Sequence, residues 1–184
     1  PRLVTEIPSL ANGGVSTELR AVYTGNRYVD LTGRVQIHKD EELRELPAMV
    51  VTFTLKSDLR WSDGTAITAE DSILGYHLAQ SEAARGRWRA LAERTTRYTA
   101  LDERTLRWEG LPGHLDKDFP GFLFPLQPAH RWKGKTLEQI FEDRTPPATG
   151  PFKIVAWESG RRVRLEPNPH YNGTPPTLSG ITVH

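Results

Sequence analysis

The sequence predicts a mixed α/β chain in which strands, helices and hairpins are interleaved, and three observations carry that expectation. Residues 49–56 alternate strictly, with Val51, Phe53 and Leu55 on one face and Thr52, Thr54 and Lys56 on the other. Period two with β-branched residues is the pattern of a half-buried strand. Thr68 followed three positions later by Asp71 is a capping box, with Asp in place of Glu, that opens a helix. Two pairs of extended stretches flank the turn dipeptides Asp102-Glu103 and Ser159-Gly160, which reads as two hairpins. Strands alternating with helices and hairpins give an α/β or α+β domain.

Along the chain, Pro8, Asn12, Gly13 and Gly14 mark an early turn, and Gly25 and Gly33 mark later ones. Short extended pieces are expected at Ala21-Val22-Tyr23 and Val35-Gln36-Ile37. The acidic-basic run from Lys39 to Glu45 reads as a solvated face or a short helix. After the alternating strand, Trp61 precedes an Asp63-Gly64 turn. The Thr68 helix has Glu70 and Asp71 in its first turn, where the helix dipole favours negative charge. It should run to Gln80 and bury Ile73, Leu74 and Leu78. A second helix is expected over Glu82–Glu93, followed by strands Thr95–Leu101 and Thr105–Trp108. Leu111–Trp132, rich in Pro and aromatic residues, reads as a structured loop. Thr136 caps a short helix through Phe141, and Phe152–Glu158 pairs with Arg161–Glu166 across a tight two-residue turn.

Composition narrows the classes. The 184 residues suit one domain, or one domain plus part of a second. Apolar residues make up 37% and charged residues 26%, with mean hydropathy −0.53. No run approaches the roughly 18 apolar residues of a membrane-spanning helix. Five Trp, five Tyr and six Phe supply enough apolar area to exclude collagen-like and disordered classes. Lys plus Arg number 24 against 23 Asp plus Glu, a net charge of +1, without the excess of a strongly electrostatic nucleic-acid binder. With no cysteine, disulfide scaffolds, cysteine nucleophiles and thiolate zinc sites are excluded. The chain begins at Pro1 with no basic-then-apolar leader, so either a leader has been removed or the chain is an excised piece.

Little in the residues points to catalysis. The six histidines, His38, His77, His114, His130, His170 and His184, form no pair at helical metal-ligand spacing. Glu70 and Asp71 are adjacent on a helix, so they do not face each other, and both already serve the helix start. Asn12-Gly13-Gly14 lacks the Lys and helix of a phosphate loop. No serine stands in a Gly-x-Ser-x-Gly elbow. Asn172-Gly173-Thr174 matches a glycosylation sequon, a short pattern that arises by chance. These observations argue against an enzyme and call for no cofactor. The one basic cluster is Arg85, Arg87, Arg89, Arg94 and Arg97, with Trp88 and Tyr98 interleaved. It reads as a solvated helix face whose arginines pair with Glu82 and Glu93. It could also grip a ligand carboxylate or nucleic acid.

Two motif runs and a shorter segment resemble a known family. The first run is Val-Thr-Phe-Thr-Leu-Lys from Val51, then Leu59-Arg60-Trp61-Ser62-Asp63-Gly64, then Ile67-Thr68-Ala69-Glu70-Asp71. The second is Thr149-Gly150-Pro151-Phe152, Trp157-Glu158-Ser159-Gly160, Leu165-Glu166, Asn168-Pro169 and Tyr171. Ile7-Pro8-Ser9-Leu10-Ala11 is similar to the segment that precedes the first run. In order and spacing these resemble the extracytoplasmic solute-binding proteins of ABC importers, in the family of oligopeptide-, dipeptide- and nickel-binding proteins. The sequence departs from the family at Asn172, where Trp is common, and at residues 18–47, which look like an insertion.

The resemblance implies part of one lobe of a two-lobed, type II periplasmic-binding-protein-like fold. Residues 1–145 would be a peripheral subdomain of the first lobe. Residues 146–184 would begin that lobe's main sheet, with the second lobe and the rest of the first absent. It implies a non-enzymatic receptor that captures peptides, or a similar small solute, and delivers them to an ABC permease. The receptor would be extracytoplasmic, either periplasmic or lipid-anchored to the outer face of the membrane. The motifs themselves read as structural. By position relative to the family, ligand contacts are expected at Arg87, Trp88, Phe124 and Gln127. Two other classes stay open at this point: a nucleic-acid-binding module using residues 85–97, and the ligand-sensing domain of a transcriptional regulator.

Overall fold

The computed structural model describes residues 2–184. Its spine is the strand the alternation predicts. That strand, β4 below, spans Arg44–Thr54 and so starts five residues before the alternation does. Val51, Phe53 and Leu55 are buried on the expected face. Pro47 lies inside the strand without breaking it. Its carbonyl accepts from the Gly113 amide at 2.8 Å, and a residue's N–H and C=O point to the same strand edge. The missing N–H therefore costs no bond to the strand on the other side.

That other strand is β1 (Val15–Val22), antiparallel to β4 from Val15↔Val51 to Val22↔Arg44. Between them lies a small hairpin of β2 (Arg27–Val29) and β3 (Val35–Ile37). The presumed insertion is thus the outer half of a long hairpin with a second, two-stranded hairpin in its loop. This arm is fastened to the body by Val29 N–H to Pro112 O at 2.8 Å. Gly113, at φ +84°, permits the contact: a Cβ there would lie 2.1 Å from Val29 O. Lys39–Glu45 forms no helix. Residues 40–42 are bends, the chain enters β4 at Arg44, and buried His38 holds the segment with Nε2 at 2.7 Å from Glu42 O.

The antiparallel sheet is completed by β5 (Thr95–Ala100) and β6 (Thr105–Gly110), in the order β1-β4-β6-β5. One helix covers its core face: α1 (Ala69–Gln80), begun by the predicted capping box, with Asp71 Oδ2 accepting from Thr68 N–H at 2.8 Å. The buried face of α1 differs from expectation. Ala69, Ser72, Gly75 and Ala79 are buried, whereas Ile73, Leu74 and Leu78 are half-buried. The reason is the segment 122–127, which lies directly along the helix. A Cβ on Gly75 would come 2.0 Å from Pro125 O, and Ser72 Oγ donates to Phe124 O at 2.7 Å. Small residues win the buried face because backbone, not side chain, packs there.

The second helix, α2 (Gly86–Glu93), is four residues shorter than expected, because residues 82–85 turn between the helices. Two short helices follow the Pro-rich loop: α3 (Ala129–Trp132) and α4 (Leu137–Glu142), the latter capped by Thr136 with Gln139.

A separate sheet closes the chain: β7 (Phe152–Glu158), β8 (Arg162–Pro167) and β9 (Ile181–Val183), in that order. The β7–β8 turn holds three residues, Ser159–Arg161, one more than expected, with Gly160 at φ +68°. The two long motifs meet where this sheet joins the body. Ser62 N–H donates to Ala148 O at 2.9 Å, and the Ala148 amide returns a bond to Ser62 Oγ at 3.0 Å. Buried Asn168 bonds Gly150 O at 2.8 Å and accepts from the His170 amide at 2.9 Å. The motif residues form this clasp, a structural role.

Candidate functional site

The four residues expected to touch ligand are not gathered into one site. Phe124 has no exposed surface and is a core residue, which corrects its assignment as a contact. Its ring packs between Tyr76 and Tyr98, at centroid distances of 4.9 and 5.0 Å, with Trp88 at 5.9 Å. Tyr98 is sealed in the same cluster, and burial pushes its phenol well above the ordinary value. Trp88 is half-buried on this cluster. Arg87 is exposed beside it, its guanidinium 4.5 Å from the Trp88 ring and donating to Gly121 O at 2.8 Å. Gln127 lies elsewhere, on an apolar groove. Its backbone is fixed by Gln127 N–H to Asp71 O at 2.9 Å.

That groove is the best-formed candidate. It encloses about 440 Å³ between the end of α1, the α3–α4 unit and β7, and Leu78, Gln127, Trp132, Phe141 and Trp157 line it. Phe141 and Trp157 are largely exposed for aromatic residues. The α3–α4 unit is held by Asp143, which accepts from Trp132 Nε1 at 2.8 Å and pairs with Arg131 at 2.6 Å. Burial pushes the Asp143 carboxyl upward, but the bonds from Trp132 and Arg131 outweigh it and hold the group below its usual range. On the rim, the Arg144 guanidinium lies 5.6 Å from the Trp157 ring centroid. Sequence reasoning missed Trp132, Phe141, Trp157 and Arg144 as a group, since only folding brings a helix pair against β7. Trp157 in an alternating strand, beside a Pro-rich stretch, was the one local sign.

The arginine cluster is spent on structure. Arg89 pairs with Glu93 at 2.8 Å, as expected of a solvated face. The others mostly reach backbone carbonyls: Arg85 to Glu82 O and Ala84 O, and Arg94 to Ala90 O and Gly33 O. Carboxylates are engaged in the same way. Glu70 pairs with Lys133 at 3.0 Å, and Asp63 lies 2.8 Å from His130 Nε2. Asp71 caps α1 and also accepts from the Ala129 amide at 2.8 Å. Burial raises its pKa, opposed by those backbone bonds. Among the described residues no group of three His, Cys, Asp or Glu side chains is placed to hold a metal, and no helix is long and apolar enough to cross a membrane. What the geometry offers is a shaped apolar surface with a few polar groups at its edge, the make-up of a binding surface.

Comparison with known proteins agrees with the motif resemblance. The family model described as bacterial extracellular solute-binding proteins, family 5, middle part, matches residues 46–184. The chain belongs to this family. Among relatives in it, the oligopeptide-binding protein OppA of Lactococcus lactis subsp. lactis is 30% identical over 173 residues, covering 80% of this chain and 28% of that protein. The ABC transporter substrate-binding protein CtaP of Listeria monocytogenes superposes with a TM-score of 0.58 at 26% identity, over 72% of this chain and 28% of that one. The oligopeptide-binding protein AppA of Bacillus subtilis, solved with a nonapeptide, shares the fold with a TM-score of 0.59 at 21% identity, over 88% of this chain and 33% of that one. The chain spans about a quarter of the length of the curated relatives it matches. The arm formed by residues 18–45 lies outside the family match.

Proposed function

We propose that this chain is the peripheral part of the first lobe of an extracytoplasmic receptor that captures peptides by binding, without catalysis, and hands them to an ABC permease. The observation that carries this reading is the family match over residues 46–184. Likeness to a protein named as oligopeptide-binding supports peptide as the solute class. An extended peptide offers backbone groups common to all sequences, which suits a receptor of broad tolerance.

The two sheets support a boundary near residue 145. The four-stranded sheet has a complete core, whereas no residue of β7, β8 or β9 is fully buried. A sheet normally buries at least one face, so residues 146–184 belong to a layer that further chain would complete. In this reading Arg87, Trp88 and Gln127 present the subdomain's contribution to the cleft, and Phe124 supports Trp88 from beneath. The receptor works outside the cytoplasm, free or held by a lipid anchor.

The test is calorimetric titration of the full-length protein and of the 184-residue chain with a library of tri- to pentapeptides. The expected result is binding by the full-length protein and far weaker binding by the chain, which offers one wall of a cleft that needs two. Equal affinities, or no peptide bound by the full-length protein, would overturn the proposal.

A further inference from the structure

The groove between α4 and β7 carries one inference that rests on the reading above and makes it more specific. Its walls are Leu78, Trp132, Phe141 and Trp157, and its volume of about 440 Å³ is at the small end of ligand sites. It is too narrow for a packed helix, which is about 10 Å across, and suits one large side chain. The polar groups at its edge are not equivalent. Asp143 is consumed by Arg131 and Trp132. Arg144 has no carboxylate partner among the described residues. Its guanidinium lies over Trp157 instead, and stacking on an aromatic face leaves the in-plane N–H donors of the fork free. The Gln127 carboxamide likewise has no hydrogen-bond partner among the described residues. The unspent charge at this groove is therefore a cation whose donor geometry matches a carboxylate.

We infer that this groove takes the carboxy-terminal residue of a bound peptide: an apolar side chain lies among Phe141, Trp132 and Trp157, and the terminal carboxylate meets the Arg144 fork. Charge complementarity selects this occupant over a neutral segment of protein chain. Such a segment would cover the apolar walls but leave the guanidinium without an anion.

The experiment is calorimetry on the full-length protein with three peptides, Ala-Ala-Leu, its carboxy-terminal amide and Ala-Ala-Gly, for wild type and Arg144→Gln. Removing one partner of a charge-assisted bond should weaken Ala-Ala-Leu by about tenfold or more. The amide should bind wild type as weakly as Ala-Ala-Leu binds the variant, and the substitution should leave the amide unaffected. Ala-Ala-Gly should bind wild type more weakly than Ala-Ala-Leu, and Trp157→Ala should narrow that gap. If all peptides bind and Arg144→Gln changes acid and amide equally, or neither, this site is wrong while the receptor reading stands. If Arg144→Gln or Trp157→Ala shifts only the unfolding midpoint, the groove is covered by protein chain and the inference falls. If wild type binds none of the three peptides but takes others of the library, only the inference is overturned. If it binds none at all, both are.

Discussion

The most direct test of how the arm is held concerns four charges on the solvent face of the large sheet. Glu18 and Arg20 on β1 reach across β4 to Arg107 and Glu109 on β6. The ring closes through Arg20–Glu109 at 2.6 Å and three contacts at 3.1 Å. It passes over Ala48 and Val50, whose small side chains leave room, and those two residues are buried beneath it. Glu109 is the hub: its side chain is 11% exposed, against 45% for Glu18. Burial pushes the Glu109 carboxyl upward, but Arg20 and Arg107 outweigh burial and hold it below the usual 4.5. Glu109→Gln keeps the shape and removes the charge. Each lost charge-assisted bond would contribute about 1.5–3 kcal/mol if dry. Arg20 and Arg107 are a quarter and a third exposed, so water recovers much of this, leaving a cost of about 1–2 kcal/mol. At this chain length that is a fall in unfolding midpoint of about 2–8 °C at pH 7. Glu18→Gln, which leaves Glu109 with both partners, should cost under about 0.5 kcal/mol. Because the folded pKa of Glu109 is depressed, its stabilisation is present above the ordinary carboxylate pKa and lost as pH falls below it. The gap between wild type and Glu109→Gln should therefore close in acid. Thermal unfolding by circular dichroism from pH 7 to pH 3 measures both. An unchanged midpoint at pH 7, or a gap that persists undiminished at pH 3, would refute the hub role.

Three further outcomes are expected. Gly75→Ala gains helix propensity but drives a methyl group onto Pro125 O, 2.0 Å from the ideal Cβ position. It should destabilise by roughly 1–3 kcal/mol in urea titrations, where propensity alone predicts a gain of about 1 kcal/mol. His114 is buried against Trp108 and Phe122 with Nε2 unpartnered. Burial lowers its pKa from 6.5, with Asp116 opposing and Arg94 assisting. The unfolded chain thus takes up a proton that the folded chain refuses, and stability should fall as pH drops below about 6.5. In His114→Phe that part of the acid loss should vanish, as unfolding midpoints between pH 7.5 and pH 5 will show. Arg94→Met removes the donor to Gly33 O at 3.1 Å, and should speed amide exchange in β2 and β3 with little change in β6.

Much of the fold was legible because it is governed by short-range chemistry. Alternation gave the core face of β4, the Thr68–Asp71 spacing gave the start of α1, and Thr136 gave α4. What could not be read locally is where backbone packs on backbone. The buried face of α1 is set by the 122–127 segment, so the larger apolar residues Ile73, Leu74 and Leu78 yield to Ser72, Gly75 and Ala79. Lys39–Glu45 has helical composition but is committed to β4 by its pairing with β1, a contact some twenty residues away in sequence. The site picks failed for a related reason. Phe124 is aromatic and sits in a loop, which suggests a contact, yet Ser72 binds its carbonyl and two tyrosines enclose its ring. The groove residues Trp132, Phe141, Arg144 and Trp157 come from three elements, so no spacing rule links them.

The same logic explains how residues outside the family match can be as ordered as those inside it. The arm has almost no core of its own: Val22, Val29 and His38 are its buried side chains before β4 begins. It is held by what it touches on the matched part: the Arg20–Glu109 pair, the Val29–Pro112 backbone bond and the Arg94–Gly33 contact. All three partners lie in or next to β6 or α2, so the arm depends on the large sheet while the sheet's apolar core faces the other way, towards α1. Loosening the arm should therefore leave the Phe53–Trp108–Phe124 core intact. The groove at Trp157 depends on neither, because α4 and β7 are joined to the body through Asp71, Ser62 and Asn168. Changes to arm stability and changes to the groove should for that reason be additive, as is usual for distant sites without shared partners.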